Sequence, residues 1–276
     1  MALIQVNYLS RALFRTVPLN VVLPVDKISF ADGAYQMKPG QKFKTLYLLH
    51  GLLGNYTDWV SGTRIQRWAE EKNLAVVMPS GDNAFYIDTP LPRNDYETFI
   101  GQELLDVTRN MFPLSPRRED TFICGLSMGG YGALRNGMKY AEHFSRIAGL
   151  SSAISVLNSD GRLLETSKLF GPSKEAAKTD RNPLVAFEQM KLRSQKGEFP
   201  LPEFYLACGT KDGLLPDNRA FRDMLIREGV KVTYDEEPRG HDWDFWDSQI
   251  KKVLDWLPLD GAANGLGSGN VGPIEK

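Results

Sequence analysis

Across 276 residues the chain carries only two cysteines and three histidines, which leaves little for a disulfide framework or a metal cluster. Cys124 and Cys208 each close an apolar run. With one strand expected between them, their backbones stand about 10 Å apart, twice the interstrand spacing and beyond the roughly 7 Å reach of a disulfide. Both read as reduced core thiols, and neither has a cationic sequence neighbour to stabilise a thiolate. No Cys-x-x-Cys or His-x-x-x-His spacing occurs to support His241, Asp242 and Asp244 as ligands, so no metal is expected. No Gly-Lys-Ser/Thr loop occurs, and no nucleotide or other cofactor is expected. Charge of one sign is lacking too: 33 Lys and Arg face 34 Asp and Glu, giving a net charge of -1. That balance offers no broad attraction for nucleic acid or anionic lipid, and no apolar run approaches a membrane span. The N-terminus alternates like a strand and shows no leader pattern, so the cytoplasm is the default location; a mature secreted form would look the same.

What is present is a Gly-x-Ser-x-Gly in the segment Thr121 to Leu134, TFICGLSMGGYGAL. Thr121 to Cys124 suits a buried strand, and Gly130 to Tyr140 places Ala133, Leu134 and Met138 at helical intervals. A serine at such a strand-to-helix bend is held clear of the sheet, and Gly125 and Gly129 let neighbouring backbone pass close by. The helix N-terminus also turns N–H groups toward the place where an oxyanion would form. The motif occurs in ordinary loops as well; here both flanks suit an elbow, which makes Ser127 the candidate nucleophile.

Along the chain, Leu3 to Leu9 and Val17 to Val25 read as an antiparallel pair of strands. Strand and helix signals then alternate: strands at Thr45 to His50, Ala75 to Met78, Thr121 to Cys124, Ile147 to Leu150, Glu203 to Cys208 and Val232 to Glu236. Helices are expected at Arg64 to Lys72, Phe99 to Met111, Pro216 to Glu228 and Trp243 to Leu257. This alternation predicts an α/β domain over 1–260, with a mainly parallel sheet and helices on both faces. About fifty polar, helix-compatible residues at 151–200 are too many for a simple connection and predict a lid-like helical insertion over the site. The glycine-rich tail, 261–276, reads as flexible.

A neutral serine hydroxyl needs a general base. His143 sits at the expected end of the elbow helix, and His50 follows a strand and precedes Gly51. His241, in a glycine-flanked loop between the last strand and last helix, is the candidate base. The Ser, acid, His order of α/β-hydrolases places the acid between Met128 and Gly240. Asp212, directly after a strand, is preferred; Asp217, at a helix start, competes. The N–H groups of Met128 and of Leu52, chosen over Leu53 in the His50 to Gly54 loop, are the expected oxyanion donors.

Four segments together, His50 to Trp59, Gly125 to Leu134, Gly209 to Asp212 and Gly240 to Trp246, resemble the esterase D-like family, in particular bacterial tributyrin esterases and related feruloyl esterases. The similarity runs to about Leu257. It implies an α/β-hydrolase carboxylesterase with Ser127, Asp212 and His241 as its triad, acting on short-chain acyl or hydroxycinnamoyl esters, plant cell-wall esters among them. The stretch Asn83 to Asp88 is similar to one bordering the family's substrate pocket, which implies contacts from Phe85 and Tyr86, though both could equally pack the core. Trp246 could line the leaving-group side or serve the helix. S-formylglutathione hydrolase and acetylxylan esterase activities share the scaffold, and so does a non-catalytic binding role. A homo-oligomer stays open.

Overall fold

The structure, a computed structural model, describes residues 1–26, 40–89, 91–158 and 166–259. The expected tail at 261–276 and part of the insertion lie outside them. Eight strands form one sheet: β1 Ala2–Ser10, β2 Arg15–Leu23, β3 Thr45–Leu49, β4 Ala75–Pro79, β5 Thr121–Leu126, β6 Arg146–Leu150, β7 Glu203–Gly209 and β8 Val232–Glu237. Their spatial order is β1-β2-β4-β3-β5-β6-β7-β8. The β1-β2 hairpin is antiparallel and joins β4 antiparallel, while every pair from β4 to β8 is parallel. β3, β4 and β5 are buried at every position, as strands covered on both faces must be.

The helices are α1 Asp58–Gly62, α2 Ile65–Glu71, α3 Tyr96–Thr98, α4 Leu104–Met111, α5 Met128–Lys139, α6 Thr166–Phe170, α7 Ser173–Ala176, α8 Pro183–Gln195, α9 Leu215–Arg227 and α10 Trp243–Trp256. One face of the sheet buries α4, α5, α8 and α9 residues such as Leu104, Leu134, Phe187 and Phe221. The other buries Trp68 of α2 and Phe245, Ile250 and Leu254 of α10.

The helix expected at Phe99 to Met111 starts earlier and is irregular. Asp88 Oδ1 accepts the Glu97 and Thr98 N–H groups, which begins it at Tyr96. A π turn at Phe99–Glu103 then connects α3 to α4. Within it Gly101 lies against the ring of Tyr140, where a Cβ would stand 2.1 Å from Cε2.

Cys124 and Cys208 end β5 and β7 with β6 between them, and both are buried and free. Burial pushes the Cys208 thiol up to about 12 and Cys124 higher still.

Between β6 and β7, α8 docks on α5, and α6 reaches α5 through Phe170 against Tyr131. Arg135 of α5, 1% exposed, pairs with Glu97 at 2.5 Å and with Asp180 of the insertion at 2.8 Å. Lys139 reaches both carboxylates. Burial alone would raise the Asp180 carboxyl, but the charges of Arg135 and Lys139 hold it below its ordinary value. Removing one partner of a buried pair strands the other. Arg135→Met is therefore expected to cost about 3–5 kcal/mol of stability, read as a lower urea midpoint; an unchanged midpoint would show that the network contributes no net stability.

Candidate active site

The parallel strands place their carboxyl ends on one edge, and the chain reverses its direction of sheet growth between β3 and β5, which leaves a crevice there. Ser127 stands at that point. Its φ of 53° and ψ of -115° lie outside the regions open to most residues, a conformation costing roughly 1–3 kcal/mol that surrounding contacts must impose. Here the Ser127 N–H donates to Leu150 O at 2.9 Å, and its carbonyl accepts from Tyr131 and Ala153 N–H groups at 3.0 and 3.1 Å. The two glycines answer to close approach. A Cβ on Gly125 would fall 2.2 Å from Gly129 O, and one on Gly129 would fall 2.4 Å from both Leu49 O and His50 O.

His241, in the loop after β8, brings Nε2 to 3.0 Å from Ser127 Oγ. Its Nδ1 lies 2.7 Å from Asp212 Oδ2, a side chain only 2% exposed in the loop after β7. The two loops are tied by the Thr210 N–H to Glu237 O and the Lys211 N–H to Arg239 O, at 2.7 and 3.0 Å. Burial would raise the Asp212 carboxyl, but hydrogen bonds from His241 and from the Leu214 N–H outweigh it and hold the group below its ordinary value. A carboxylate accepting from Nδ1 leaves Nε2 free to take a proton from the serine, so the row can move one proton from Oγ to the imidazole. Trp246, 6% exposed, packs edge to face on the His241 ring at 4.9 Å between centroids and steadies it from α10.

The other candidates lie elsewhere. Asp217 belongs to the first turn of α9, and His143 to the turn after α5. His50 is buried beside the elbow: its Nε2 accepts the Gly81 N–H at 2.8 Å, so Nδ1 carries the proton and donates to Gly51 O at 2.7 Å. Burial keeps this imidazole below its ordinary pKa. The Leu53 N–H is committed to Asn83 Oδ1 at 2.8 Å. Among the described residues, the N–H groups of Leu52 and Met128 have no such acceptor. Phe85 and Tyr86 are not at the surface. Phe85 is 1% exposed against Tyr131 and Phe170, and Tyr86 is fully buried, so neither presents a face to a ligand in this structure.

Beyond the elbow, a cavity of about 300 Å3 opens between the 154–157 turn, the insertion and α9. Ile154, Leu157, Phe221 and Met224 give it apolar walls, with Asp217 and Arg227 also lining it. It begins one residue after Ala153, whose N–H holds the Ser127 carbonyl. Two supporting residues were not legible in the sequence. Asn218 binds both the N–H and the carbonyl of Ser152, and Asn136 binds the Tyr86 carbonyl. Their only sequence signal is a polar residue on an otherwise apolar helix face. No group of three or more His, Cys, Asp or Glu fit for a metal occurs among the described residues, and no helix there is long and apolar enough to cross a membrane.

Fold and site together define a serine esterase, a carboxylic ester hydrolase on the α/β-hydrolase fold. The chain belongs to the esterase family whose model, described as "Putative esterase", matches residues 10–257. It is 40% identical over 270 residues to an acetyl esterase of Caldicellulosiruptor saccharolyticus, covering 93% of this chain and 98% of that one. Among solved structures it is similar to an S-formylglutathione hydrolase of Staphylococcus aureus, with 30% identity, a TM-score of 0.79 and coverage of 93% and 98%. Fluorophosphonate-binding serine hydrolase F of the same organism gives 29% identity, a TM-score of 0.81 and coverage of 94% and 99%. A ferulic acid esterase at 22% identity and a TM-score of 0.70 shares the fold.

Proposed function

We propose that the protein hydrolyses short-chain acyl and hydroxycinnamoyl esters in two acyl-transfer steps. Ser127 Oγ bonds to the ester carbonyl carbon as His241 Nε2 takes its proton, and Asp212 holds the resulting imidazolium. The carbonyl oxygen becomes an oxyanion facing the Met128 and Leu52 N–H groups, each worth roughly 2.7–4 kcal/mol in such a position. As the carbon–oxygen ester bond breaks, His241 returns the proton to the departing alcohol. Water then attacks the acyl-enzyme by the same route, giving a carboxylic acid and free Ser127.

The observation that carries this reading is the unbroken row from Ser127 Oγ through His241 to Asp212, at 3.0 and 2.7 Å, beside two N–H groups without an acceptor among the described residues. The acetyl esterase relative supports a small acyl group, and the apolar cavity behind Ile154 offers room for a larger one. Trp246, against the base, would border the alcohol. The insertion, held to α5 by Asp180, would close the other side. A panel from acetate to octanoate p-nitrophenyl esters, with methyl ferulate and S-formylglutathione, tests the assignment. Highest kcat/KM on acetate or butyrate, with measurable ferulate turnover, is expected; a thioester preferred over every oxygen ester would overturn it.

A further inference from the structure

Tyr86 sits behind the site, and its bonds join the two halves of it. Its ring is wedged between backbones: a Cβ added at Gly81 would stand 2.0 Å from Cε1, and one at Gly132 of α5 would stand 2.4 Å from Cδ2. From that slot the hydroxyl donates to His50 O at 2.9 Å, while the Tyr86 carbonyl accepts from Asn136 Nδ2 of α5, also at 2.9 Å. One residue thus grips the His50 loop with its side chain and the elbow helix with its backbone. The chain is held there at a cost, with φ of 52° at Phe85 and 57° at Tyr86. Such backbone persists only where its surroundings impose it, and it gathers at functional sites. Burial drives the phenol well above its ordinary pKa, so it remains a donor.

The His50 carbonyl is a sensitive point to hold. It lies against the start of α5, where a Cβ on Gly129 would approach it to 2.4 Å. Peptide groups are planar and trans, so fixing a carbonyl also fixes the following N–H in the opposite direction. The Tyr86 hydroxyl fixes the plane between His50 and Gly51. His50 Nδ1, on Gly51 O at 2.7 Å, fixes the next plane, whose far edge is the Leu52 N–H. With both planes pinned, that N–H has one direction.

We propose that Tyr86 is a positioning residue for ester hydrolysis: through the His50 carbonyl, its hydroxyl aims the Leu52 N–H at the oxyanion forming on Ser127. This rests on the roles of Ser127 and Leu52 proposed above. It differs from simple core filling, because Tyr86→Phe keeps the ring and removes only the donor.

The test is Tyr86→Phe, with active sites counted by fluorophosphonate titration so that only competent protein enters the rate. Loosening one oxyanion donor, whose outright loss costs 10²–10³ in rate, should lower kcat on p-nitrophenyl acetate by about 10-fold and leave KM within about twofold. Affinity for an alkyl boronic acid, which forms a tetrahedral adduct on the serine, should fall by the same factor as kcat/KM. Values of kcat and boronate affinity within twofold of the parent would overturn the proposal. If Tyr86→Phe does not fold, Asn136→Ser decides: matched losses in both quantities support the role, and parent-like values reject it. Parent protein that fails to take the fluorophosphonate on Ser127 would reject the underlying Ser127 assignment instead.

Discussion

Ser127→Ala is expected to lower kcat on p-nitrophenyl acetate by about 10⁴–10⁶-fold, the range seen when the nucleophile of a serine triad is removed. The expectation comes from the local chemistry. No other hydroxyl is hydrogen-bonded to His241 Nε2 among the described residues, so the base has nothing else to activate. A residual rate well above background is expected, since the Leu52 and Met128 N–H groups and the binding surfaces stay in place. Fold should change little, because the elbow is imposed by Gly125, Gly129 and the bond to Leu150 O and not by the hydroxyl. Single-turnover assays on protein of parent-like urea midpoint check it; a loss smaller than about 100-fold would place the nucleophile elsewhere.

Asp212→Asn is expected to lower kcat by about 10⁴-fold with KM little changed, through the wrong imidazole tautomer. The asparagine oxygen can keep the Leu214 N–H, now held at 2.9 Å, which turns its amide N–H₂ toward Nδ1. His241 must then carry its proton on Nε2 and present a donor to a serine that needs an acceptor. The same substitution has a signature in stability. The Asp212 carboxyl is held below its ordinary 3.8 in the folded protein, so ionisation favours folding. That contribution is complete above the ordinary value and is lost as pH falls through the lowered one. In Asp212→Asn the acid limb of the unfolding profile should be shallower over that window; a parent-like limb with parent-like kcat would reject both roles.

Much of this was legible in the residue order, for identifiable reasons. A Gly-x-Ser-x-Gly between a β-branched strand and a small-residue helix has few physical solutions, and Ser127 takes the one expected. Asp212 and His241 each follow a strand that runs the same way as β5, so a parallel sheet brings their loops to one edge. The buried-strand runs gave the sheet itself. Tyr86 shows where such reasoning stops. An aromatic pair in a loop near a site can face the ligand or the core, and no periodicity tells the two apart. Packing against Tyr131 and Phe170 buries Phe85, the slot between Gly81 and Gly132 buries Tyr86, and nothing in their residue types announces either. The π turn at Phe99–Glu103 was equally hidden, because the apolar spacing of that segment suits a regular helix and the Tyr140 ring against Gly101 comes from a distant part of the chain.

Among the described residues, the crossing from β6 to β7 touches the elbow only at its start, where Leu150 O takes the Ser127 N–H and the Ala153 N–H holds the Ser127 carbonyl; the nucleophile, base and acid all sit on other loops. The triad side chains therefore lie outside the stretch that forms one wall of the cavity beside α9. Exchange of residues 154–200 between relatives, with the Ala153 bond and the Arg135 anchor retained, offers a way to test whether substrate preference follows that stretch while the proton-transfer row stays intact.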